Sequence, residues 1–160
     1  MIRELTQDDV IQIFFDLMIQ VESSNKFDKA NSRHVEWLKR KIARRFGCGA
    51  RFYGYFLDEG MPVGLMGVVI EDNPIITGYS EVLDLGVYEK YRCTGIGEKL
   101  MKHAEELSRE ASVCCVYVST YSGDSRVVAF YGKRGYVPVA THPDVHGISH
   151  EGQVYMRKRL

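Results

Sequence analysis

The segment Glu81 to Leu100, EVLDLGVYEKYRCTGIGEKL, constrains the fold more than any other part of the chain. It reads as a short apolar strand, Val82 to Val87, then a charged turn. Arg92-Cys93-Thr94-Gly95-Ile96-Gly97 follows and opens into a helix. The first N–H groups of a helix lack internal partners, and the macrodipole places partial positive charge there, so such a junction suits a phosphate group. Gly95 and Gly97 carry no Cβ and let backbone approach an anion, while Arg92 adds a cationic fork at the rim. Tight packing alone would also place a G-x-G pair here. The segment is not a Walker loop, because G-x-x-x-x-G-K-[ST] is absent. It is not a dinucleotide fingerprint either, because Leu100 stands where the third glycine would fall.

A chain of 160 residues suits one well-buried domain, and 1–160 is read as a single domain. Its 45% hydrophobic and 26% charged content is that of a globular protein. Zero formal net charge argues against bulk attraction to nucleic acid or to an anionic membrane. No apolar run approaches the ~18–20 residues of a membrane span, and the charged MIRELTQDD start lacks a signal-peptide core. Cys48, Cys93, Cys114 and Cys115 form no C-x-x-C pair. They read as reduced, mostly buried thiols, and a reducing cytoplasm is the expected setting.

In chain order, Met1 to Leu5 predicts a strand, and Thr6 an N-cap with Asp8 and Asp9 in the first turn. The following helix buries Val10, Phe14, Leu17, Met18 and Val21, and Ser23-Ser24-Asn25 breaks it. A second helix is expected from Asp28 to Phe46, burying Val35, Leu38, Ile42 and Phe46. Its other face, Lys39, Arg40, Lys41, Arg44 and Arg45, reads as solvated rather than as a nucleic-acid contact. Arg51–Leu57, Val63–Ile70 and Ile75–Val87 predict three strands of an antiparallel meander, with Asp58-Glu59-Gly60 as a hairpin turn. A helix over Gly95–Glu110 turns Ile96, Leu100, Ala104 and Leu107 inward. Val113–Thr120 is a β-branched central strand, and Asp124 caps a short helix that Gly135 stops. Tyr136–Ala140 and Gln153–Lys158 are the last two strands. The class is α/β with a mixed sheet.

Two stretches together match one pattern. Arg92-x-x-Gly95-x-Gly97, after a strand ending Leu85-Gly86-Val87, resembles the pyrophosphate loop of the GNAT-type N-acetyltransferase superfamily. About thirty residues on, Val127-Val128-Ala129-Phe130-Tyr131-Gly132-Lys133-Arg134-Gly135-Tyr136 resembles that family's A-x-x-F-Y-x-K-x-G-F motif. The element order resembles the family's fold from end to end. The resemblance implies acetyl-CoA as co-substrate and an amine acceptor, and no metal is expected because the loop histidines His142, His146 and His150 lack an obvious carboxylate or cysteine partner. It implies that Leu85, Gly86 and Val87 pair with pantetheine amides, and that Arg92, Cys93, Thr94, Gly95, Ile96 and Gly97 hold the pyrophosphate. Tyr131 takes the position of the tyrosine that protonates the departing thiolate, and Lys133 that of a basic residue near the far phosphates. Glu81, six residues before Val87, matches the spacing of a general-base glutamate.

Four positions depart from the pattern. Cys93 and Thr94 fill places the family usually gives to glycine and a basic residue in R-G-x-G-x-G or Q-x-x-G-x-G. Asp124 stands where asparagine is common, seven residues before the tyrosine, and accepts but does not donate when ionised. Val127 replaces the alanine.

Acyl transfer to an amine by direct attack needs a base, an oxyanion stabiliser and an acid for the sulfur. An amine of pKa ~10.4 is almost fully protonated at neutral pH. Glu81 is the first candidate base and Asp84 the second, although strand alternation sets them on opposite faces unless a bulge intervenes. A solvent-facing edge residue would explain either one equally, as a core tyrosine would explain Tyr131. His142, His146 and His150 recur every four residues, but Pro143 and Gly147 oppose a helix, so they are read as loop histidines, and the resemblance implies that this loop borders the acceptor site. The alternative to an enzyme is a silent acyl-CoA sensor, as a monomer or homodimer.

Overall fold

A computed structural model of the chain describes residues 1–21, 27–72, 75, 78–143 and 152–160, with the backbone alone at 18–21. The elements are β1 (Ile2–Leu5), α1 (Gln7–Val21), α2 (Ser32–Gly47), β2 (Arg51–Tyr55), β3 (Gly64–Glu71) and β4 (Tyr79–Val87). They continue with α3 (Ile96–Glu110), β5 (Cys115–Tyr121), α4 (Ser125–Gly132), β6 (Val137–His142) and β7 (Gln153–Arg159). The strands form a mixed sheet in the order β1-β2-β3-β4-β5-β7-β6. β1 with β2, β2 with β3, β5 with β7 and β6 with β7 are antiparallel, and β4 with β5 is parallel. This is the expected α/β class. The chain divides into two compact units, Met1–Val69 with Asp84–Ala104, and Ile70–Leu83 with Glu105–Leu160.

In the first unit, α1 starts where a reciprocal cap forms. Thr6 donates to Asp9 Oδ2 through N and Oγ1, and Asp9 N donates back to Thr6 Oγ1. Val10, Ile13, Phe14 and Leu17 then fall on one buried stripe. The side chains of Met18 and Val21, and the Ser23–Asn25 break, lie outside the described residues. α2 begins at Ser32 rather than Asp28. Asp28 Oδ1 accepts from Ala30 N at 2.8 Å and folds a turn first, and Asn31 then caps Arg33 N. Leu38 and Ile42 are buried as expected, and Val35 and Phe46 are half-buried.

Phe52 of β2 stacks on Phe46 at 5.1 Å and meets Phe14 edge-on, while its neighbour Tyr53 meets His103 of α3 at 4.7 Å. Alternation along β2 thus sets α1 and α2 on one face and α3 on the other. A Cβ on Gly67, which is paired with Phe52, would come within 2.5 Å of that ring, so glycine is obligatory there. The basic face of α2 is solvated only in part. Lys39, Arg40 and Arg44 are exposed, but Lys41 and Arg45 turn toward Asp84 of β4.

In the second unit, β5 carries Val116 and Val118 fully buried, with Met156 opposite Val118 on β7. Tyr136 is buried, and its hydroxyl donates to Glu105 at 3.2 Å. Lys158 Nζ donates to both oxygens of Glu105 at 2.8 Å. The cysteine expectation fails for three of four. Cys48, Cys93 and Cys114 are exposed, because they sit in a helix end, a loop and a strand entry, and only Cys115 lies buried within a strand. All four are free thiols.

Candidate active site

β4 is the backbone of the site. Its register with β5 comprises three pairs, Ser80 with Val116, Glu81 with Tyr117 and Val82 with Val118. The strand itself continues to Val87. Leu85, Gly86 and Val87 therefore extend beyond the stretch paired with β5 as half-buried backbone, with β3 on their other edge. A peptide-like ligand can add to such backbone as a strand does. Gly86 lets α1 pack closely, since a Cβ there would lie 3.0 Å from Leu17.

After β4 the chain makes a 3-10 turn, Glu89–Tyr91, and the loop to α3 is held from within. Arg92 Nε donates to the Val87 carbonyl at 3.2 Å, and Thr94 Oγ1 donates to the Tyr91 carbonyl at 2.6 Å. Two successive reversals follow, Cys93 at φ 60° and Gly95 at φ 84°. A side chain is strained in that region, which explains the glycine at 95. The space above Gly95 is open, with no atom within 4 Å of a Cβ built there. The first amide to bond back in α3 is Lys99 N, to Gly95 O at 3.0 Å. The N–H groups of Ile96 and Gly97 have no backbone acceptor among the described residues. Open space facing unused helix-terminal donors fits a phosphate-bearing ligand. The Thr94 hydroxyl works inside the loop, so the missing basic residue at that place is replaced by a loop-fastening contact.

Asp84 lies one residue before this stretch. Lys41 Nζ and Arg45 Nε approach its two oxygens at 3.6 Å each, beyond hydrogen-bond length. Its Oδ2 is buried and accepts no hydrogen bond among the described residues. Burial pushes its carboxyl above the ordinary range, and the charges of Lys41 and Arg45 pull against that shift. The sequence reading named Asp84 but missed both cations. The signal was the helical spacing of Trp37, Lys41 and Arg45.

In the second unit, Glu81 is half-buried opposite Tyr117. Asp124 Oδ1 accepts from Val127 N at 3.2 Å, so this carboxylate caps α4. Tyr131, on the last turn of α4, is 5% exposed and packs edge-on against Phe130 and Tyr136. Burial pushes its hydroxyl up to about 12, so it keeps its proton at neutral pH. A core tyrosine would have a hydrogen-bond partner, and among the described residues the Tyr131 hydroxyl has none. Lys133 follows α4 and is exposed.

His142 ends β6 and is exposed, and His146 and His150 lie outside the described residues. Among the described residues no group of three or more His, Cys, Asp or Glu side chains could hold a metal ion. No described helix is long and apolar enough to cross a membrane.

A family model described as Acetyltransferase (GNAT) family matches residues 14–136. The fold is similar to that of ribosomal-protein-alanine N-acetyltransferase from Brucella melitensis, at TM-score 0.74 and 20% identity, covering 100% of this chain and 99% of that one. An aminoglycoside 6'-N-acetyltransferase complexed with coenzyme A gives TM-score 0.73 at 17% identity, covering 99% and 96%. Ard1 from Thermoplasma volcanium gives TM-score 0.71 at 22% identity, covering 100% and 97%. No curated protein matches the sequence significantly.

Proposed function

The chain belongs to the acetyltransferase (GNAT) family, and from that membership we propose that it is an acetyl-CoA-dependent N-acetyltransferase. It moves an acetyl group to a primary amine by direct attack in a ternary complex. The observation that carries this reading is β4 itself. It leaves its registered pairs with β5 after Val82, so that the edge facing β5 carries no registered pair, and it leads into the α3 amides that have no backbone acceptor among the described residues.

Acetyl-CoA, when bound, supplies a thioester whose acetyl group is transferred and whose thiolate departs. Backbone groups of Leu85, Gly86 and Val87 bind its pantetheine arm and orient the thioester. The amides of Ile96 and Gly97, with Arg92 and the Cys93–Gly95 turn, hold the pyrophosphate. Lys133 meets the outer phosphates, and Asp124 acts by fixing the start of α4. Glu81 takes the proton that the attacking amine must lose. Tyr131 holds a proton at its hydroxyl and delivers it to the departing sulfur, a task that suits an acid kept protonated by burial.

Thermal unfolding with acetyl-CoA tests the binding claim. A ligand at a hundred times its Kd adds about 2.7 kcal/mol of stability. Tyr131→Phe tests the acid, with turnover expected to fall by about a hundredfold while acetyl-CoA affinity holds. Absence of any shift with acetyl-CoA or longer acyl-CoAs defeats the proposal. A shift without turnover on any amine would support the silent sensor instead.

A further inference from the structure

Trp37, Lys41 and Arg45 are spaced four apart and so lie along one line of α2, beside the buried line of Leu38 and Ile42. Lys41 sits 5.7 Å from the Trp37 ring and 5.6 Å from the Phe14 ring. Like charges at this spacing repel, and such a pair persists where an anion lies between them. The anion present is Asp84, a single carboxylate for two cations, and the contacts are loose at 3.6 Å. The Lys41 ammonium and the Arg45 guanidinium form no side-chain hydrogen bond among the described residues, and they are 28% and 35% exposed. Asp84 Oδ2 is likewise without a donor. A finished structural ion pair would have short bonds and satisfied oxygens. This cluster carries one surplus positive charge and a set of unused, solvent-reachable donors.

The neighbouring α1 residues add no charge, for Leu17 faces Gly86 and Phe14 faces Lys41. Asp84 directly precedes Leu85–Val87, the stretch assigned above to the thioester arm. We infer that Lys41 and Arg45 form a clamp for a carboxylate on the acceptor, so that the acceptor is a small amine bearing its own carboxylate. The inference rests on the acetyltransferase reading for the word acceptor, and on this cluster alone for the carboxylate. A guanidinium and an ammonium side by side suit a carboxylate, the guanidinium through two parallel bonds. The same surplus charge disfavours polycationic amines.

Trp37 is the single tryptophan of the chain and is 43% exposed, so its fluorescence reports on this cluster directly. The test titrates the wild-type protein, without and with CoA, using two matched pairs, L-alanine against L-alaninamide and γ-aminobutyrate against n-butylamine. The carboxylate member of each pair should bind at least about tenfold more tightly, a preference that added salt weakens. Lys41→Met and Arg45→Met should each remove the preference while the acetyl-CoA thermal shift stays. In acetyl-CoA consumption the same preference should appear in KM rather than kcat. Equal binding of both members to the wild type overturns the clamp, and this outcome needs no variant to fold. A preference that survives both substitutions overturns it too. If acetyl-CoA gives no thermal shift, the acetyltransferase reading fails, and the fluorescence titration without CoA still decides the clamp.

Discussion

Each unit contains a carboxylate of low exposure beside two cations, and the two carboxylates are treated in opposite ways. Glu105 receives two bonds of 2.8 Å from Lys158 and one of 3.2 Å from Tyr136, with Arg109 at 3.6 Å. Asp84 receives nothing shorter than 3.6 Å from Lys41 and Arg45, and among the described residues one of its oxygens accepts no hydrogen bond. Burial costs a charge several kcal/mol unless geometry and hydrogen bonds offset it. Glu105 meets that condition, and its partners tie α3, β6's entry and β7 together. Asp84 does not. This loosely held carboxylate beside half-exposed cations is the contrast on which the proposed carboxylate clamp rests.

The sharpest way to break this contrast is Lys158→Met. It leaves Glu105 buried and short of its principal donor, and should cost about 3 kcal/mol in denaturant unfolding. A loss under about 1 kcal/mol would mean that Glu105 is no better satisfied than Asp84. Asp124→Ala sets an intermediate scale. It removes one cap bond to Val127 and should cost about 1 kcal/mol. Lys41→Met should change stability by less than about 1 kcal/mol, because its contact is loose and the side chain is partly solvated. A loss as large as that of Lys158→Met would make the Asp84 cluster structural.

The smallest expected effect is in pH dependence. The folded-state pKa of Asp84 lies above its unfolded value, because burial outweighs the two cations. Its ionised form therefore disfavours the fold, and that cost disappears as the carboxyl is protonated. Wild type should gain stability relative to Asp84→Asn as pH falls through the raised pKa toward the ordinary carboxylate range. A difference that instead shrinks over this window would show that Lys41 and Arg45 overcome burial.

The legible parts of the fold were those carried by neighbours in the chain. Thr6 with Asp9, Asp124 with Val127, and Gly95 at positive φ are local hydrogen bonds or local torsions, and the residue types announce them. The same holds for the strand, loop and helix around Arg92 to Gly97. The start of α2 was misplaced because Asp28 and Asn31 are both good caps, and only the turn to Ala30 decides between them. The cysteines misled because thiol burial depends on position in an element rather than on residue type.

By itself, the sequence determined the element order, the α/β class and the loop motif, since periodicity, caps and glycine torsions act within a few residues. The tertiary structure alone decided that Lys41 and Arg45 face Asp84, that the pairing of β4 with β5 stops at Val82, and that Tyr131 is buried between Phe130 and Tyr136. Those contacts join residues far apart in the chain. Their geometry is set by how helices close over a sheet, and no local spacing encodes it.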